Sequence, residues 1–159
     1  MKNILVVCTG NICRSPIVAG LLERYIETAG LSDQLAVQSA GTGAAPGMAA
    51  SVHSVTVLAR KGIDIADHQS QRLTFDLIEE ANLILVMEEA HRNHIFYQSP
   101  ENLDKVLLLS ELVGLNGDIA DPIGQDEAAY RRTLREVENM LVIGWPRLLQ
   151  RLGIGDDSY

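Results

Sequence analysis

Apolar and polar positions alternate along this chain in two periods, one of strands and one of helices. Ile4-Leu5-Val6-Val7 is a continuous apolar run, the pattern of a strand buried on both faces. After it, Ile17, Leu21, Leu22, Tyr25 and Ile26 recur at helical spacing until Gly30 supplies a stop. Ser15 is a good N-cap and Pro16 a good first helical residue, so that helix is expected to begin there. Leu35 to Ala40 reads as a second strand ending in Gly41. Ala49 to Lys61, closed by Gly62, reads as a helix with Val52, Val55 and Leu58 inward and Ala59 beside them. Thr74 to Ala81 predicts a further helix, Leu83 to Val86 a buried strand, and Glu88 to Tyr97 a helix stopped before Pro100. Val106 to Leu109 is the fourth strand. From Gln125 a long helix carries Tyr130, Leu134, Val137 and Leu141 on one face. Pro146 is expected to kink or break it, because proline cannot donate to the helical ladder. The tail from Gly153 reads as frayed.

Strands and helices that alternate through short connections predict an α/β fold. The expected form is a three-layer sandwich with a central four-stranded parallel sheet flanked by helices on both faces. With 159 residues, 47% of them apolar, and no repeat, linker or low-complexity segment, residues 1–159 are expected to form one domain. In an open sheet of this kind, ligands bind beyond the carboxyl ends of the strands. Cys8 follows the first strand, Ser39 closes the second, Met87 and Glu88 follow the third, and a loop with Asp121 follows the fourth. All four edges are expected to face one crevice.

Charge and cysteine content narrow the function. A formal net charge of −8 argues against a nucleic-acid binder, which needs a basic face, and against an anionic membrane surface. No run approaches a membrane span. The apolar stretch before Cys8 is one strand long, far below a signal peptide's roughly 7–15-residue core, so the expected location is cytoplasmic. The two cysteines cannot make a disulfide framework. A zinc site from Cys8, Cys13, His91 and His94 would need four convergent ligands from loose spacing, so no metal is expected.

The richest chemistry lies in Cys8-Thr9-Gly10-Asn11-Ile12-Cys13-Arg14-Ser15-Pro16, between the first strand and the first helix. Such a loop surrounds one anion. Its N–H groups converge, the helix N-terminus adds partial positive charge, and Arg14 can grip two oxygens with its planar fork. The same field stabilises a thiolate at Cys8 and makes it nucleophilic at neutral pH. A nucleophile under a tetrahedral oxyanion site implies phosphoryl transfer through a phosphocysteine. The leaving oxygen of a phosphate monoester needs a proton that nothing inside the loop supplies. A carboxylic acid at the mouth is the usual source, and Asp118 and Asp121 both sit in a Gly-containing loop after the last strand.

The segment from Val6 to Pro16 resembles the signature of the low-molecular-weight protein tyrosine phosphatases. The likeness continues at Ser39-Ala40-Gly41, His68, Met87-Glu88 and Asp121-Pro122, in the family's order. The resemblance implies a small α/β phosphatase that needs neither metal nor cofactor. It implies Cys8 as nucleophile, Arg14 as phosphate and transition-state binder, and Asp121 rather than Asp118 as general acid and base. Thr9, Gly10, Asn11, Ile12, Cys13, Ser15 and Ile123 would contact substrate. Asn11 would brace the loop with Ser39 and His68, and the Ser15 hydroxyl would point at the nucleophile. Cys13, beside a reactive thiolate, is a redox candidate. The implied partner is a phosphorylated protein or peptide, with a cognate tyrosine kinase behind it, and the implied state a monomer or weak dimer.

The pattern departs from the family after Asp121-Pro122. Aromatic residues usually follow there and wall a phosphotyrosine ring; this chain has Ile123-Gly124, and none in Thr42-Gly43-Ala44-Ala45-Pro46. Protein arginine phosphatases share the scaffold and typically carry threonine where this chain has Ile12, so Ile12 points back to phosphotyrosine. Arsenate reductases of similar fold need further redox cysteines, which are missing. A non-catalytic phosphate-binding module is the alternative from another class. It would need the N–H groups and Arg14 but neither Cys8 nor Asp121.

Overall fold

Ile4-Leu5-Val6-Val7 occupies the middle of the sheet, where both faces of a strand are covered and an unbroken apolar run is stable. In the computed structural model, which describes residues 1–155, four strands form one sheet: β1 (Lys2–Cys8), β2 (Leu35–Gly41), β3 (Leu83–Val86) and β4 (Val106–Leu108). All are parallel, in the order β2-β1-β3-β4. Side chains alternate across β1 with the strand period of two. Ile4, Val6 and Cys8 join one core with Ile17, Val18, Leu21 and Leu22 of α1 (Arg14–Thr28), Val57 and Leu58 of α2 (Val52–Ala59), and Leu134, Val137 and Leu141 of α5 (Glu127–Arg151). Leu5 and Val7 join the other core, with Ile78 of α3 (Phe75–Glu80) and Ile95 of α4 (Glu89–Gln98). Helices thus cover both faces, and the expected three-layer α/β class holds.

Order and register position the site. The chain leaves β1 for β2 on one side and returns to β3 on the other, so the crevice opens at the carboxyl end of β1. There Cys8 pairs with Gly41, and Val7 with Val86. The four strand ends named from the sequence do converge.

Several local expectations are corrected. The first helix begins at Arg14 with Cys13 in the N-cap position and no side-chain cap. Ser15 lies inside the first turn because its hydroxyl is engaged with the loop. The second helix is shorter than Ala49 to Lys61. Its inward face is Ser54, Val57 and Leu58, while Val52 is exposed and Val55 half-buried. The face is turned by Ser54 Oγ, which donates to the Cys13 carbonyl at 3.1 Å. Pro146 does not end α5, which continues to Arg151. Pro146 faces solvent, where water can take the carbonyl that it leaves unpaired, and Leu148 and Leu152 hold the final turns in the core. Past the helix, Gly153 turns at φ 70° and Ile154 packs on the core, its N–H donating to Leu149 O at 2.9 Å. The rest of the tail that reads as frayed, 156–159, lies outside the described residues. Among the described residues no helix is long and apolar enough to cross a membrane.

Candidate active site

The loop joining β1 to α1 turns through one left-handed residue. Asn11 takes that place at φ 56°, the only non-glycine with positive φ among the described residues. Asparagine tolerates the conformation because its short side chain bonds locally. The turn brings the Asn11 N–H to Cys8 Sγ, 3.3 Å away. The fully buried side chain is held on all sides. Oδ1 accepts the Gln71 N–H at 2.9 Å, which fixes the amide orientation. Nδ2 then donates to Ser15 Oγ at 2.8 Å and to Ser39 Oγ at 2.9 Å. His68 Nε2 lies 2.7 Å from the Asn11 carbonyl. A carbonyl can only accept, so Nε2 carries the proton.

This bracing reaches the sulfur. Ser15 Oγ accepts from Asn11, so its own hydroxyl proton is free to point at Cys8 Sγ, 3.0 Å away. Cys8 Sγ thus faces an N–H and an O–H donor at the first turn of a helix. Neighbouring segments hold the loop's outer carbonyls. Thr42 and Gly43 donate to Cys8 O and Thr9 O at 3.0 Å, and Ser51 donates to Ile12 O at 2.8 Å. Gly41 is required for this fit, since a Cβ there would stand 2.3 Å from Thr9 O.

Arg14 is 1% exposed, and its charge is tolerated because one edge of the guanidinium is fully engaged. Nη1 donates to Ile119 O at 2.8 Å and lies 2.9 Å from Glu88 Oε2. Nη2 makes only long contacts, to Asp121 Oδ2 at 3.4 Å and Thr9 Oγ1 at 3.5 Å. Nε–H, also buried, has no acceptor among the described residues. The Nε–Nη2 edge is a bidentate fork available to two oxygens of an anion.

The acidic loop distinguishes its two aspartates. Asp118 Oδ1 accepts the Glu89 N–H at 2.9 Å and so serves the start of α4. Asp121 turns to the mouth, with Oδ1 accepting the Ile123 N–H at 3.1 Å and Oδ2 facing Arg14. Ile123 is exposed, and Gly124 follows at φ 76°. Ile12 is half-buried and turns back over the loop, its Cγ1 3.7 Å from where a Gly10 Cβ would stand. Cys13 is packed beneath, with Sγ 3.3 Å from Tyr130 Oη, and burial pushes its thiol up.

Two residues of this site have no role in the sequence reading. Glu88 is visible there as a strand-end residue, and only the tertiary structure sets its carboxylate on Arg14. His91, raised only as a zinc candidate, is buried on the same helical face three residues on. Its Nδ1 accepts the Glu88 N–H at 3.1 Å, so Nε2 carries the proton and donates to Thr9 Oγ1 at 2.9 Å. Burial, then the Arg14 charge, lower its pKa to about 4. His91 is therefore neutral at physiological pH, and its 3.4 Å approach to Glu88 is a polar contact rather than an ion pair. The site thus gathers a cysteine sulfur, a guanidinium fork and a carboxyl group around one loop.

Comparison with known proteins gives a consistent picture. The family described as low molecular weight phosphotyrosine protein phosphatase matches residues 3–152. The chain is 43% identical over 140 residues to the protein-arginine-phosphatase of Geobacillus stearothermophilus, covering 87% of this chain and 90% of that one. It is 39% identical over 148 residues to the probable low molecular weight protein-tyrosine-phosphatase EpsP of Ralstonia nicotianae, covering 93% and 97%. Among solved structures, the arginine phosphatase YwlE, as a cysteine-to-serine mutant with a phosphorylated active-site serine, superposes with a TM-score of 0.87. That match has 35% identity and covers 99% of this chain and 98% of the other.

Proposed function

The chain belongs to the low molecular weight phosphotyrosine protein phosphatase family, and on that footing we propose that it hydrolyses phosphotyrosine in proteins through a phosphocysteine intermediate. The observation that carries this is Cys8 Sγ, flanked by the Asn11 N–H and the Ser15 hydroxyl, in the loop that also holds the Nε–Nη2 edge of Arg14. Cys8 attacks phosphorus as a thiolate, forming the S–P bond while the P–O bond to the leaving group breaks. Arg14 and the loop N–H groups from Thr9 to Ser15, those of Gly10, Ile12 and Cys13 among them, hold the equatorial oxygens. Preorganised donors of this kind act mainly on the transition state. Asp121 gives the departing oxygen its proton, then takes one from the water that attacks the phosphocysteine and releases phosphate. In YwlE a serine at the active site carries a phosphoryl group, which supports a covalent intermediate here. Ser39 and His68 act through Asn11 and are positioning residues. This chemistry needs no metal or cofactor.

The substrate side chain is set by the rim. Ile12 places a branched apolar group over the loop, favouring an aromatic ester over a polar guanidinium. Phosphoarginine is the second candidate, supported by the 43% identity to an arginine phosphatase and by exposed Ile123 where an aromatic wall is usual. The ring is weakly held, so a high KM for phosphotyrosine is expected. Phosphoserine is too short to bring phosphorus down to Cys8. A cytoplasmic location, a cognate tyrosine kinase and a monomer or weak dimer complete the proposal. Metal-free assays on phosphotyrosine, phosphoarginine and phosphoserine peptides test it, and Ile12→Thr should shift preference toward phosphoarginine. An unmodified enzyme with higher kcat/KM on phosphoarginine than on phosphotyrosine would make phosphoarginine the substrate.

A further inference from the structure

A groove of about 300 Å³ lies between α2 and α5, floored by Val57 and Leu134 and walled by Arg60, Lys61, Arg131, Arg135 and one acid, Glu138. In a chain of formal net charge −8, four of the 13 lysines and arginines around one concavity are a marked concentration. Two of the four are partnered: Arg60 pairs with Glu127, and Lys61 with Glu138 at 2.8 Å. Arg131 and Arg135, one turn apart on the exposed side of α5, have no ion-pair partner among the described residues. With Glu138 taken by Lys61, the groove keeps two arginines without an ion-pair partner among the described residues, beside an apolar floor.

Both walls touch the catalytic loop at their near ends. Ser54 of α2 donates to Cys13 O, and Tyr130, directly before Arg131, meets Cys13 Sγ. Arg60 lies six positions beyond Ser54, about 9 Å of helical rise. An extended peptide covers that in about three residues. We propose that this groove binds acidic side chains of the phosphoprotein substrate, roughly three to six residues from the phosphorylated one. The proposal rests on the phosphatase reading and names the substrate's sequence context. An enzyme with excess negative charge repels an acidic phosphoprotein at long range, and a local basic groove reverses that at the point of contact and sets the peptide's direction.

The test uses p-nitrophenyl phosphate and two phosphotyrosine peptides, one with Asp or Glu three to six residues away on either side, one with Gln there. The unmodified chain should favour the acidic peptide in kcat/KM, mostly through KM, at low salt. Arg131→Glu combined with Arg135→Glu should raise KM for the acidic peptide about tenfold, a size set by two surface charge pairs lost and reversed. Kinetics on the Gln peptide and on p-nitrophenyl phosphate should stay unchanged. The same pair changed to Gln gives a milder second variant, with an intermediate rise. At 1 M salt, where the Debye length is about 3 Å, the preference should vanish. Equal kinetics on the two peptides, or equal losses on all three substrates, would overturn the groove's role alone. No turnover of any of the three would overturn the phosphatase reading and the groove with it.

Discussion

Replacing Asn11 with alanine removes the brace on which the loop turns, and the structure sets the size of the loss. Three side-chain hydrogen bonds disappear, to Ser15, Ser39 and Gln71. The two serine hydroxyls can rotate toward other partners, but the Gln71 N–H is fixed and would be left without its acceptor. At about 0.5–1.5 kcal/mol per bond, with about 1–3 kcal/mol for a stranded buried donor, the loss is about 3–5 kcal/mol. The left-handed conformation at φ 56° adds about 1 kcal/mol, since alanine lacks the local bonds that ease it. A loss of that order is a large share of a typical 5–15 kcal/mol total, and shifts Tm by roughly 8–24 °C in a chain of this length. Asn11→Gly should recover the conformational part only. Asn11→Asp should separate structure from chemistry. The introduced carboxylate still accepts from Gln71, but it draws the Ser15 proton away from Cys8 and sets negative charge beside the sulfur. Stability should then fall less than in the alanine variant while kcat falls about a hundredfold, comparable to losing one preorganised donor. Urea unfolding followed by the fluorescence of Trp145, the single tryptophan, gives the first quantity, and p-nitrophenyl phosphate turnover the second. An Asn11→Ala enzyme within about 1 kcal/mol of the parent, with unchanged kcat, would refute the bracing role.

Asp121→Ala should slow substrates with poor leaving groups by about 10²–10⁴-fold, and activated aryl phosphates far less, because these leave without a proton; equal losses on both would remove Asp121 from the acid role. His91 stays neutral to about pH 4 in the folded chain but takes a proton near 6.5 when unfolded, so the unfolded state binds the extra proton between those values and stability falls as pH drops. From pH 7 to 4.5 this group should cost the parent about 2–3 kcal/mol that His91→Asn does not lose, and equal urea-midpoint shifts in both would refute the linkage. Mild peroxide should inactivate the enzyme and yield a Cys8–Cys13 disulfide that blocks over-oxidation. Peptide mapping that finds sulfinic acid at Cys8 with Cys13 still a free thiol would show that Cys13 only packs against Tyr130.

The chain's local chemistry settled much of this protein before any tertiary contact was considered. An apolar run flanked by amphipathic stretches defines β1 and its neighbours, since only a doubly covered strand tolerates such a run. The face Tyr130, Leu134, Val137 and Leu141 was legible from period alone, and all four are buried. The Cys8-to-Arg14 spacing likewise placed a loop between a strand's end and a helix's start, and the structure has it there. The structure then placed Asn11, Ser15, Ser39 and His68 in one network. Other features depend on partners far along the chain. The inward face of α2 was set by Ser54 reaching Cys13 O, which left Val52 exposed and Val55 half-buried. Pro146 was tolerated because its side of α5 meets water, which no sequence period reveals. Glu88 and His91 acquired their places only when β3 paired with β1 and carried the start of α4 to Arg14 and Thr9. Hydrophobic period and turn chemistry act within a few residues, and so they can be read in order along the chain. A buried charge and its partners are joined through space, and only folding brings them within bonding distance.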